Sequence, residues 1–370
     1  MILENLSLVN FKNYSGATVD LDPRVNIFTG LNGQGKTNVL DAIHYLSLCK
    51  SYFNPIDSQN IRHGADFFVV EGKFTDGAQT DKIYCGVKKG QRKIFRKNKE
   101  DYDRLADHIG QYPSVVISPY DKDLISEGSE VRRRFVDGII SQFRRPYLDD
   151  LMHYNKVLKQ RNSLLKYFWE NRTFDPENLA LWSSQLVELA EKIFDERKAF
   201  IEDFEPVFKS HYAAISGNSE DVGIAYASHL EGGEFAQKLT QFEEKDRRTS
   251  YTNAGTHKDD FKFLINGYPL KKFGSQGQQK TFLIALKLAH FDIVRSSTQK
   301  TPVLLLDDIF DKIDDVRVQH LMQLVSDHNF GQIFITDTHA DRISGIFNGI
   351  AESKKVFNVK EGAIDESRSQ

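Results

Sequence analysis

The stretch "FTGLNGQGKTNVLDAI", from Phe28 to Ile43, most constrains how this chain can fold. Its core, "GLNGQGKT", fits the phosphate-binding pattern G-x-x-x-x-G-K-[ST] between an apolar strand and an amphipathic helix. Its glycines let backbone N–H groups approach phosphate oxygens closely, and the following helix points its positive end at the anion. A chance glycine turn is disfavoured because strand and helix flank the motif in the required order. The pattern therefore predicts a nucleoside-triphosphate site in an α/β fold.

The residues of this motif are candidate ligands of the nucleotide. We expect Lys36 to supply charge to the β- and γ-phosphates, with a catalytic role, and the Thr37 hydroxyl to ligate Mg²⁺. The full candidate set is Gly30, Leu31, Asn32, Gly33, Gln34, Gly35, Lys36, Thr37 and Asn38.

A second candidate element is "PVLLLDDIF", Pro302 to Phe310, in which an apolar run precedes two aspartates. A buried strand ending in aspartate is how P-loop folds bring a carboxylate to the nucleotide's metal. We expect Asp307 to hold Mg²⁺ through water and Asp308 to polarise the attacking water. A lone strand-end aspartate is more often an ordinary helix cap. Paired with the P-loop, the catalytic interpretation is favoured.

The spacing of apolar residues changes along the chain. Alternation at Leu6 and Leu8 predicts a half-buried strand near the start, and from about Pro146 to Phe208 the period becomes helical. Other predicted elements are strands at Val25–Phe28, Val303–Leu306 and Gln332–Ile335, and a helix from Gln276 to about Arg295. We expect three segments: the first half of an ATPase lobe over residues 1–120, an inserted helical lobe over 121–250, and the second half of the ATPase lobe over 251–370.

Composition excludes some classes of protein. The 49 basic and 52 acidic residues leave a formal net charge of −3, so a nucleic-acid site must rest on local patches. Cys49 and Cys85 are the only cysteines, which with no signal peptide indicates a reducing cytoplasm rather than a disulfide framework. No run approaches the ~18 apolar residues of a membrane span. We expect a soluble cytoplasmic protein with no membrane contact.

A third element, "FGSQGQQKTFLIALKLA", has capping-box spacing at Ser275 and Gln278. By itself it predicts a well-capped helix. Here the chain resembles the RecF family of recombinational DNA repair, relatives of the SMC and ABC-type ATPases, because "SQGQQ" stands where transporter ATPases carry LSGGQ. The resemblance covers nearly the whole chain. It also includes "NFKNY" (Asn10 to Tyr14), "VRRRFVD" (Val131 to Asp137), "GTHKDD" (Gly255 to Asp260) and "LLLDDIFDKID".

The resemblance implies an ABC-type P-loop ATPase head with flanking antiparallel strands and an inserted helical lobe. It implies that two protomers form an ATP-dependent homodimer, with ATP bound between them. The serine at Ser275 and the amides of Gln276 and Gly277 would then complete the partner's nucleotide site. Further implied elements are a nucleotide contact at Lys12, a D-loop at Asp311 to Asp314, and a γ-phosphate sensor at Thr338 or His339.

The chain departs from the family pattern at some positions. Lys12 stands where the family usually has arginine, so charge is kept and bidentate geometry is lost. Phe53 replaces a common arginine in "CKSYFNP". Asp308 stands where transporter ATPases have glutamate, and an aspartate is expected at this position in RecF proteins. Its shorter side chain predicts slow turnover of ATP. We therefore expect a slow ATPase that acts as a switch rather than a metabolic enzyme.

Local basic stripes are the candidates for DNA contact, because phosphate contacts give affinity without sequence information. The alternative is a solvated hairpin and a salt-bridged helix. Replacing Lys93, Arg96 and Lys97 with Glu is expected to weaken DNA binding and spare ATP binding. The guanine-reading pattern "NKED", Asn98 to Asp101, is interpreted as coincidence. The basic residues are Lys82, Lys88, Lys89, Arg92, Lys93, Arg96, Lys97 and Lys99, with Arg132, Arg133, Arg134, Arg144 and Arg145.

The family resemblance implies a function in DNA repair, DNA replication and the SOS response. Two chains would close on duplex DNA near gaps or single-strand junctions and help the RecO and RecR mediators to load recombinase. The alternative is a P-loop kinase that acts on a small acceptor with Asp308 as base, which needs neither a second chain nor DNA. A transporter's ATPase subunit is disfavoured by the missing LSGGQ sequence.

Overall fold

The computed structural model describes residues 1–217, 220–309, 330–338 and 353–366. The chain divides into two compact units. Unit 1 comprises Met1–Asp121, Ala214–Gly217 and Lys280–Gln370, and unit 2 comprises Lys122–Ala213 and Asn218–Gln279.

The described strands, in chain order, are β1 (Ile2–Val9), β2 (Gly16–Asp20), β3 (Val25–Thr29), β4 (Phe67–Asp76), β5 (Gln79–Lys88), β6 (Ile94–Lys97), β7 (Glu100–Asp101), β8 (Ser114–Ile117), β9 (Val222–Ala227), β10 (Asp260–Ile265), β11 (Tyr268–Pro269), β12 (Val303–Asp307), β13 (Ile333–Asp337), β14 (Lys354–Lys360) and β15 (Ala363–Glu366). The described α-helices are α1 (Lys36–Leu48), α2 (Asp123–Ser126), α3 (Ser129–Ile140), α4 (Arg145–Asn171), α5 (Pro176–Ser216), α6 (Phe235–Gln241), α7 (Glu243–Thr249), α8 (Leu270–Phe273) and α9 (Gln276–Thr298).

Unit 1 contains two six-stranded sheets. One has the order β15-β14-β3-β13-β12-β8 and is parallel from β14 to β8, with β15 antiparallel at its edge. Its central strands β3, β12 and β13 are buried along their whole length, as expected for parallel strands covered on both faces. The other sheet, β2-β1-β4-β5-β6-β7, is antiparallel, and β4 alternates buried and more exposed positions. The α/β class and the flanking antiparallel strands are confirmed.

Helix α1 follows the predicted P-loop directly and is mostly buried in unit 1. Its Val39 and Ile43 belong to a core that includes Phe28 of β3 and Phe68 and Val70 of β4. Helix α9 begins within the segment of unit 2, and its residues from Lys280 onward belong to unit 1. Its middle, from Thr281 to Phe291, is buried without interruption. The predicted helix from Gln276 is therefore confirmed.

Unit 2 is the helical insertion. Its long helices are α4 and most of α5, and it also holds a three-stranded sheet of order β11-β10-β9. Because β9 pairs antiparallel with β10, residues beyond the predicted boundary at 250 belong to this unit, which extends to Gln279. The helical insertion predicted from the change of period is confirmed.

A buried ionic network holds unit 2 together and explains two of the family motifs. The guanidinium of Arg197 on α5 lies 2.9 Å from carboxylate oxygens of both Asp137 and Asp259, and it also donates to the Thr256 carbonyl at 2.8 Å. The Tyr147 hydroxyl donates to Asp137 at 2.6 Å. Removing one member of a buried ionic pair leaves an uncompensated charge and costs about 3–5 kcal/mol. The aspartates of "VRRRFVD" and "GTHKDD" thus have a structural role.

The arginines of "VRRRF" largely belong to the same fold-stabilising contacts. Arg132 makes a bidentate pair with Asp260, at 2.7 and 3.1 Å, and Arg133 donates to the Asp259 carbonyl at 2.6 Å. Arg134 is more exposed and pairs with Glu130 one helical turn away. Arg132 and Arg133 therefore bind protein groups. This agrees with the alternative interpretation of these arginines as part of a salt-bridged helix.

No helix among the described residues is both long and apolar enough to cross a membrane.

Candidate nucleotide-binding site

Three neighbouring parallel strands end at one edge of the unit 1 sheet and bring the predicted site residues together. Strand β13 pairs with β3 on one side and with β12 on the other. Thr29, at the end of β3, is opposite Asp337, and Asp307, at the end of β12, is opposite Thr336. In open α/β sheets, ligands bind at the carboxyl ends of the strands. The P-loop leaves β3 at this edge.

Glycine is required at two positions of the P-loop. Gly30 has φ +141°, and a Cβ there would lie 2.3 Å from the Val359 carbonyl oxygen of β14. Gly35 has φ +116°, and a Cβ there would lie 2.5 Å from the side-chain nitrogen Nδ2 of Asn13. Both positions combine a left-handed backbone with close approach of a neighbouring group, so a larger residue would displace the loop. Backbone geometry thus accounts for these two glycines independently of any ligand.

The lysine and the exposed tip of the loop are arranged as a phosphate site requires. Lys36 is buried and its ammonium donates to the carbonyls of Gly30 at 2.8 Å and Leu31 at 3.1 Å. The loop residues Leu31, Asn32 and Gly33 are exposed. The Lys36 ammonium lies within the P-loop, where it can contact a phosphate bound at the concave face of the loop.

The hydroxyl of Thr37 and the carboxylate of Asp307 meet, although 270 residues separate them. Thr37 Oγ1 donates to Asp307 Oδ1 at 2.8 Å, and Thr336 Oγ1 donates to the same oxygen at 2.8 Å. Ser118 Oγ lies 3.4 Å from Asp307 Oδ2. Burial raises the pKa of the Asp307 carboxyl above its usual range, and the hydrogen bonds from Thr37 and Thr336 oppose that shift. This converging set of hard oxygen donors fits Mg²⁺.

Asp308 follows Asp307 in a left-handed conformation, with φ 46°. Its backbone N–H donates to Thr336 Oγ1 at 3.0 Å. The turn carries Asp308 just past the strand end, and its role with the attacking water stays a prediction. Thr338 directly follows β13, and its role as a γ-phosphate sensor also stays a prediction. The predicted D-loop at Asp311 to Asp314 and the predicted sensor His339 lie outside the described residues.

Asn13 and Tyr14 hold the P-loop from outside, and sequence reasoning assigned neither of them a role. Asn13 Nδ2 donates to the Gln34 carbonyl at 2.7 Å, and its Oδ1 accepts from Asn38 Nδ2 at 2.7 Å. The Tyr14 hydroxyl donates to the Gly35 carbonyl at 3.0 Å. The signal was present in "NFKNY", but only Lys12 was singled out from that motif.

Lys12 contacts protein groups in this structure. Its ammonium lies 2.6 Å from Asp41 Oδ2 on α1 and 5.4 Å from the centre of the Phe53 ring. Asp41 is fully buried and also accepts hydrogen bonds from Ser51 Oγ and the Tyr52 N–H. Phe53 thus packs near Lys12. A nucleotide contact by Lys12 stays a prediction.

The capping box at the start of α9 is confirmed. Gln278 Oε1 accepts from the Ser275 N–H at 2.7 Å, and Ser275 Oγ accepts from the Gln278 N–H at 3.2 Å. Ser275 and Gln276 are exposed, and Gly277 is half-buried. The cap uses the serine oxygen as an acceptor, so the hydroxyl hydrogen of Ser275 is not needed for the cap. These residues belong to the segment of unit 2.

The basic hairpin is only partly available to DNA. Lys93 is largely buried and its ammonium donates to the Cys49 carbonyl at 2.6 Å and to Asp57 at 2.9 Å. Arg96 pairs with Asp101, and Lys97 pairs with Asp81. The proposed replacement of these three residues therefore disturbs the fold as well as the surface. Asn98 and Lys99 form the left-handed turn between β6 and β7, which supports the interpretation of "NKED" as coincidence.

The sequence matches known proteins along nearly its whole length. The family described as the RecF/RecN/SMC N-terminal domain matches residues 2–364. The "DNA replication and repair protein RecF" of Flavobacterium johnsoniae is 49% identical over 359 residues, which cover 97% of this chain and 100% of that protein. The protein of the same name from Phocaeicola vulgatus is 47% identical over 370 residues, which cover 100% of this chain and 99% of that protein.

The fold matches solved structures as well. A structure described as the recombination mediator protein RecF-ATP in the RecFOR pathway superposes with a TM-score of 0.89 at 29% identity, covering 99% of this chain and 97% of the other. Its RecF-ATPrS counterpart superposes with a TM-score of 0.88 at 30% identity, covering 98% and 97%. An Smc head domain from Pyrococcus furiosus has a TM-score of 0.57 at 16% identity, covering 99% and 96%, and shares the fold.

Proposed function

Because this chain belongs to the RecF family, we propose that it is an ATP-dependent DNA-binding recombination mediator whose two copies close on duplex DNA around bound ATP. The relatives described above are DNA replication and repair proteins, and solved relatives carry ATP and ATPrS in their descriptions. The observation that carries the proposal is the 2.8 Å contact between Thr37 Oγ1 and Asp307 Oδ1. It joins the P-loop to the strand-end carboxylate, as a metal-dependent triphosphate site requires.

The chain's own residues account for nucleotide binding in this proposal. The P-loop amides and Lys36 bind the phosphates, and Asn13 and Tyr14 fix the loop's shape before the nucleotide arrives. Thr37 and Asp307 would hold Mg²⁺, which neutralises phosphate charge when it is bound. Asp308 would orient the attacking water. Its carboxylate is one methylene shorter than the glutamate of transporters, so hydrolysis is slow and serves to end a bound state.

The second half of the proposal is that one chain is not sufficient. In this proposal the exposed Ser275 and Gln276, at the start of α9, would form the anion-binding helix end of unit 2. In the proposed homodimer, this end contacts the γ-phosphate held by the partner's P-loop. ATP then stabilises the dimer by mass action, and loss of the γ-phosphate removes the charge that joins the protomers.

DNA binding in this proposal rests on exposed cations that are not committed to buried partners. Lys88, Arg92 and Lys99 are exposed on the β5–β7 hairpin, in contrast to Lys93. Such residues suit sequence-independent phosphate contact. Duplex near gaps or single-strand junctions is the proposed substrate. RecO and RecR are the proposed partners, because the solved relatives are described in the RecFOR pathway.

Sedimentation velocity tests the proposal directly. We expect a monomer without nucleotide, a dimer with ATP or a slowly hydrolysed analogue, and a monomer again with ADP. Lys36→Ala is expected to stay monomeric in every condition. A chain that binds ATP yet stays monomeric would contradict the proposed ATP-dependent dimer on DNA and favour the P-loop kinase. A chain that dimerises equally without nucleotide would contradict the gating role of ATP.

A further inference from the structure

The start of helix α9 is attached to Glu220, which lies just before strand β9 in unit 2. Gln278 Nε2 donates to Glu220 Oε1 at 3.0 Å, across 58 residues of sequence. The other carboxylate oxygen, Glu220 Oε2, accepts from the Tyr212 hydroxyl at 3.1 Å. Gln278 is also the residue whose side chain accepts from the Ser275 N–H in the capping box. Tyr212, Glu220 and Gln278 thus form a line of hydrogen bonds that ends at Ser275.

Glu220 decides which way the side-chain amide of Gln278 faces. A carboxylate offers only acceptors, so the NH₂ group of Gln278 faces Glu220 and its carbonyl oxygen faces the Ser275 N–H. With the amide reversed, an acceptor would face the carboxylate and a donor would face the Ser275 N–H, and both contacts would be repulsive. The carboxylate therefore selects the amide orientation that closes the capping box.

Glu220 itself is fixed on both sides. Tyr212 lies near the end of α5, and its side chain is only 1% exposed. On the other side, the Asp221 N–H donates to Asn266 Oδ1 at 3.0 Å, and the Asn266 N–H donates to the Asp221 carbonyl at 2.7 Å. Asn266 directly follows β10, which pairs antiparallel with β9. Glu220 is therefore attached to a buried helix residue and to a paired sheet of the same unit.

A second hydrogen bond fixes the residue before Ser275. Gln279 Nε2 donates to the Gly274 carbonyl at 3.0 Å. A Cβ at Gly274 would lie 2.9 Å from the Leu270 carbonyl oxygen, so the backbone is closely packed there. Ser275 is nevertheless exposed. A residue that its neighbours hold in position while it stays open to solvent can contact an external ligand with little loss of conformational entropy.

We propose that Glu220 is a positioning residue for the Ser275 helix end, with Tyr212 as its support. This role rests on the function proposed above, in which Ser275 contacts the γ-phosphate held by a second copy of the chain. Glu220 acts through Gln278, by holding Ser275 in the conformation that fits the phosphate. Its effect is therefore directional. Glu220 matters in the chain that offers Ser275, and not in the chain whose P-loop binds that ATP.

Mixtures of complementary variants test this direction. A Lys36→Ala chain offers only its Ser275 helix end, and a Ser275→Arg chain offers only its P-loop, so together they can form one complete ATP site. In sedimentation velocity with a slowly hydrolysed ATP analogue, we expect this reference pair to associate. Adding Glu220→Ala to the Lys36→Ala chain is expected to weaken the association about tenfold, the scale of one hydrogen bond.

The same substitution in the other chain is the matched control. Glu220→Ala added to the Ser275→Arg chain leaves the working Ser275 end intact and is expected to keep the association at the reference level. Equal weakening of both pairs would indicate general damage to the fold and would overturn the proposal. Glu220→Gln keeps an acceptor oxygen for Gln278 Nε2, so in the Lys36→Ala chain it is expected to retain most of the association. A loss as large as that of Glu220→Ala would overturn the hydrogen-bonded role.

Hydrogen exchange of the single chain without nucleotide separates this role from the proposed dimer. Glu220→Ala is expected to speed exchange of the Ser275 amide about 2- to 12-fold, the range for one hydrogen bond, and Tyr212→Phe is expected to speed it less. Unchanged exchange in Glu220→Ala would overturn the link between Glu220 and Ser275. A reference pair that associates equally well with and without Glu220→Ala would overturn the positioning role alone. A reference pair that stays monomeric would contradict the proposed dimer, and the role of Glu220 within it.

Discussion

The ammonium of Lys287 lies 2.8 Å from Asp121 Oδ1, and the two side chains are only 3% and 2% exposed. Lys287 is on α9, the helix that begins directly after Ser275. Asp121 Oδ2 also accepts from the Ser118 N–H at 2.8 Å, and Ser118 Oγ reaches Asp307 at 3.4 Å. A buried ion pair thus supports the loop that contacts the strand-end carboxylate of the nucleotide site.

Breaking this pair from one side is expected to destabilise unit 1. Lys287→Met leaves the Asp121 carboxylate buried without its counter-charge, which costs about 3–5 kcal/mol. Denaturant unfolding of the wild type, Lys287→Met and the double variant Lys287→Met/Asp121→Leu measures it. The double variant removes both charges and is expected to regain most of the loss. A single variant as stable as the wild type would show that the ion pair contributes nothing.

The hydrogen bonds from Asn13 to the P-loop segment predict an effect on nucleotide affinity. Asn13→Ala removes the hydrogen bonds to the Gln34 carbonyl and from Asn38, each worth about 0.5–1.5 kcal/mol. We expect ATP affinity to fall about tenfold, measured by calorimetry, because the loop is no longer held in its binding shape. Asn5→Ala, which removes an exposed bond to Asp20 within the antiparallel sheet, is the control and is expected to bind ATP normally. Equal ATP affinities for Asn13→Ala and Asn5→Ala would show that the Asn13 hydrogen bonds do not shape the P-loop for ATP.

A buried histidine predicts a pH dependence of stability. Burial lowers the pKa of His108 to about 4 from 6.5, with a smaller contribution from Lys97. Its Nε2 bonds to the Leu46 carbonyl at 2.6 Å, and its Nδ1 lies 3.0 Å from the Tyr102 hydroxyl. The ring stays neutral in the folded chain, whereas the unfolded chain takes up a proton as pH falls below 6.5. Stability is therefore lost between pH 6.5 and about 4, by up to about 1.4 kcal/mol per pH unit.

Unfolding free energies measured from pH 7.5 to 4.5 test this histidine. His108→Gln is expected to be less stable at neutral pH and to lose less stability on acidification than the wild type. His63→Gln, at an exposed position, is the control and is expected to keep the wild-type slope. If His108→Gln and the wild type lose stability in parallel, proton uptake at His108 on unfolding is ruled out.

The exposed cations of the β5–β7 hairpin predict a salt-dependent DNA affinity. Replacing Lys88, Arg92 and Lys99 with Gln is expected to weaken duplex binding and to lower the salt slope by about 0.9 for each lost phosphate contact. Lys73→Gln is the control, because Lys73 pairs with Glu4 at 2.7 Å on the same sheet. Affinities measured at several salt concentrations that match the wild type would remove the hairpin as a DNA contact.

Much of the fold and part of the site could be predicted because the signals are local. The glycine loop, the capping box at Ser275 and the apolar strand before Asp307 each occupy a short stretch whose spacing sets the backbone geometry. The contact between Thr37 and Asp307 followed from strand ends that meet at one edge of a parallel sheet.

Other features depend on residues that are far apart in sequence. Lys93 looked like a surface cation because nothing near it shows that Asp57 and the Cys49 carbonyl lie beside it. Asn13 reaches the P-loop across 21 residues, so its two hydrogen bonds leave no periodic pattern in the sequence. The unit boundary at Gln279 depends on the pairing of β9 with β10, which a change of period cannot locate.

The central claim is that each ATP is held by the P-loop of one chain and the Ser275 helix end of another. Mixing two defective variants tests it most directly. Lys36→Ala cannot bind the phosphates but presents Ser275, and Ser275→Arg binds ATP but cannot contact a partner's γ-phosphate. Measured by sedimentation with ATP, neither variant alone is expected to dimerise, and their mixture is expected to form a heterodimer with one complete site. A Ser275→Arg chain that dimerises with ATP as well as the wild type, or a mixture that stays monomeric, would contradict the account.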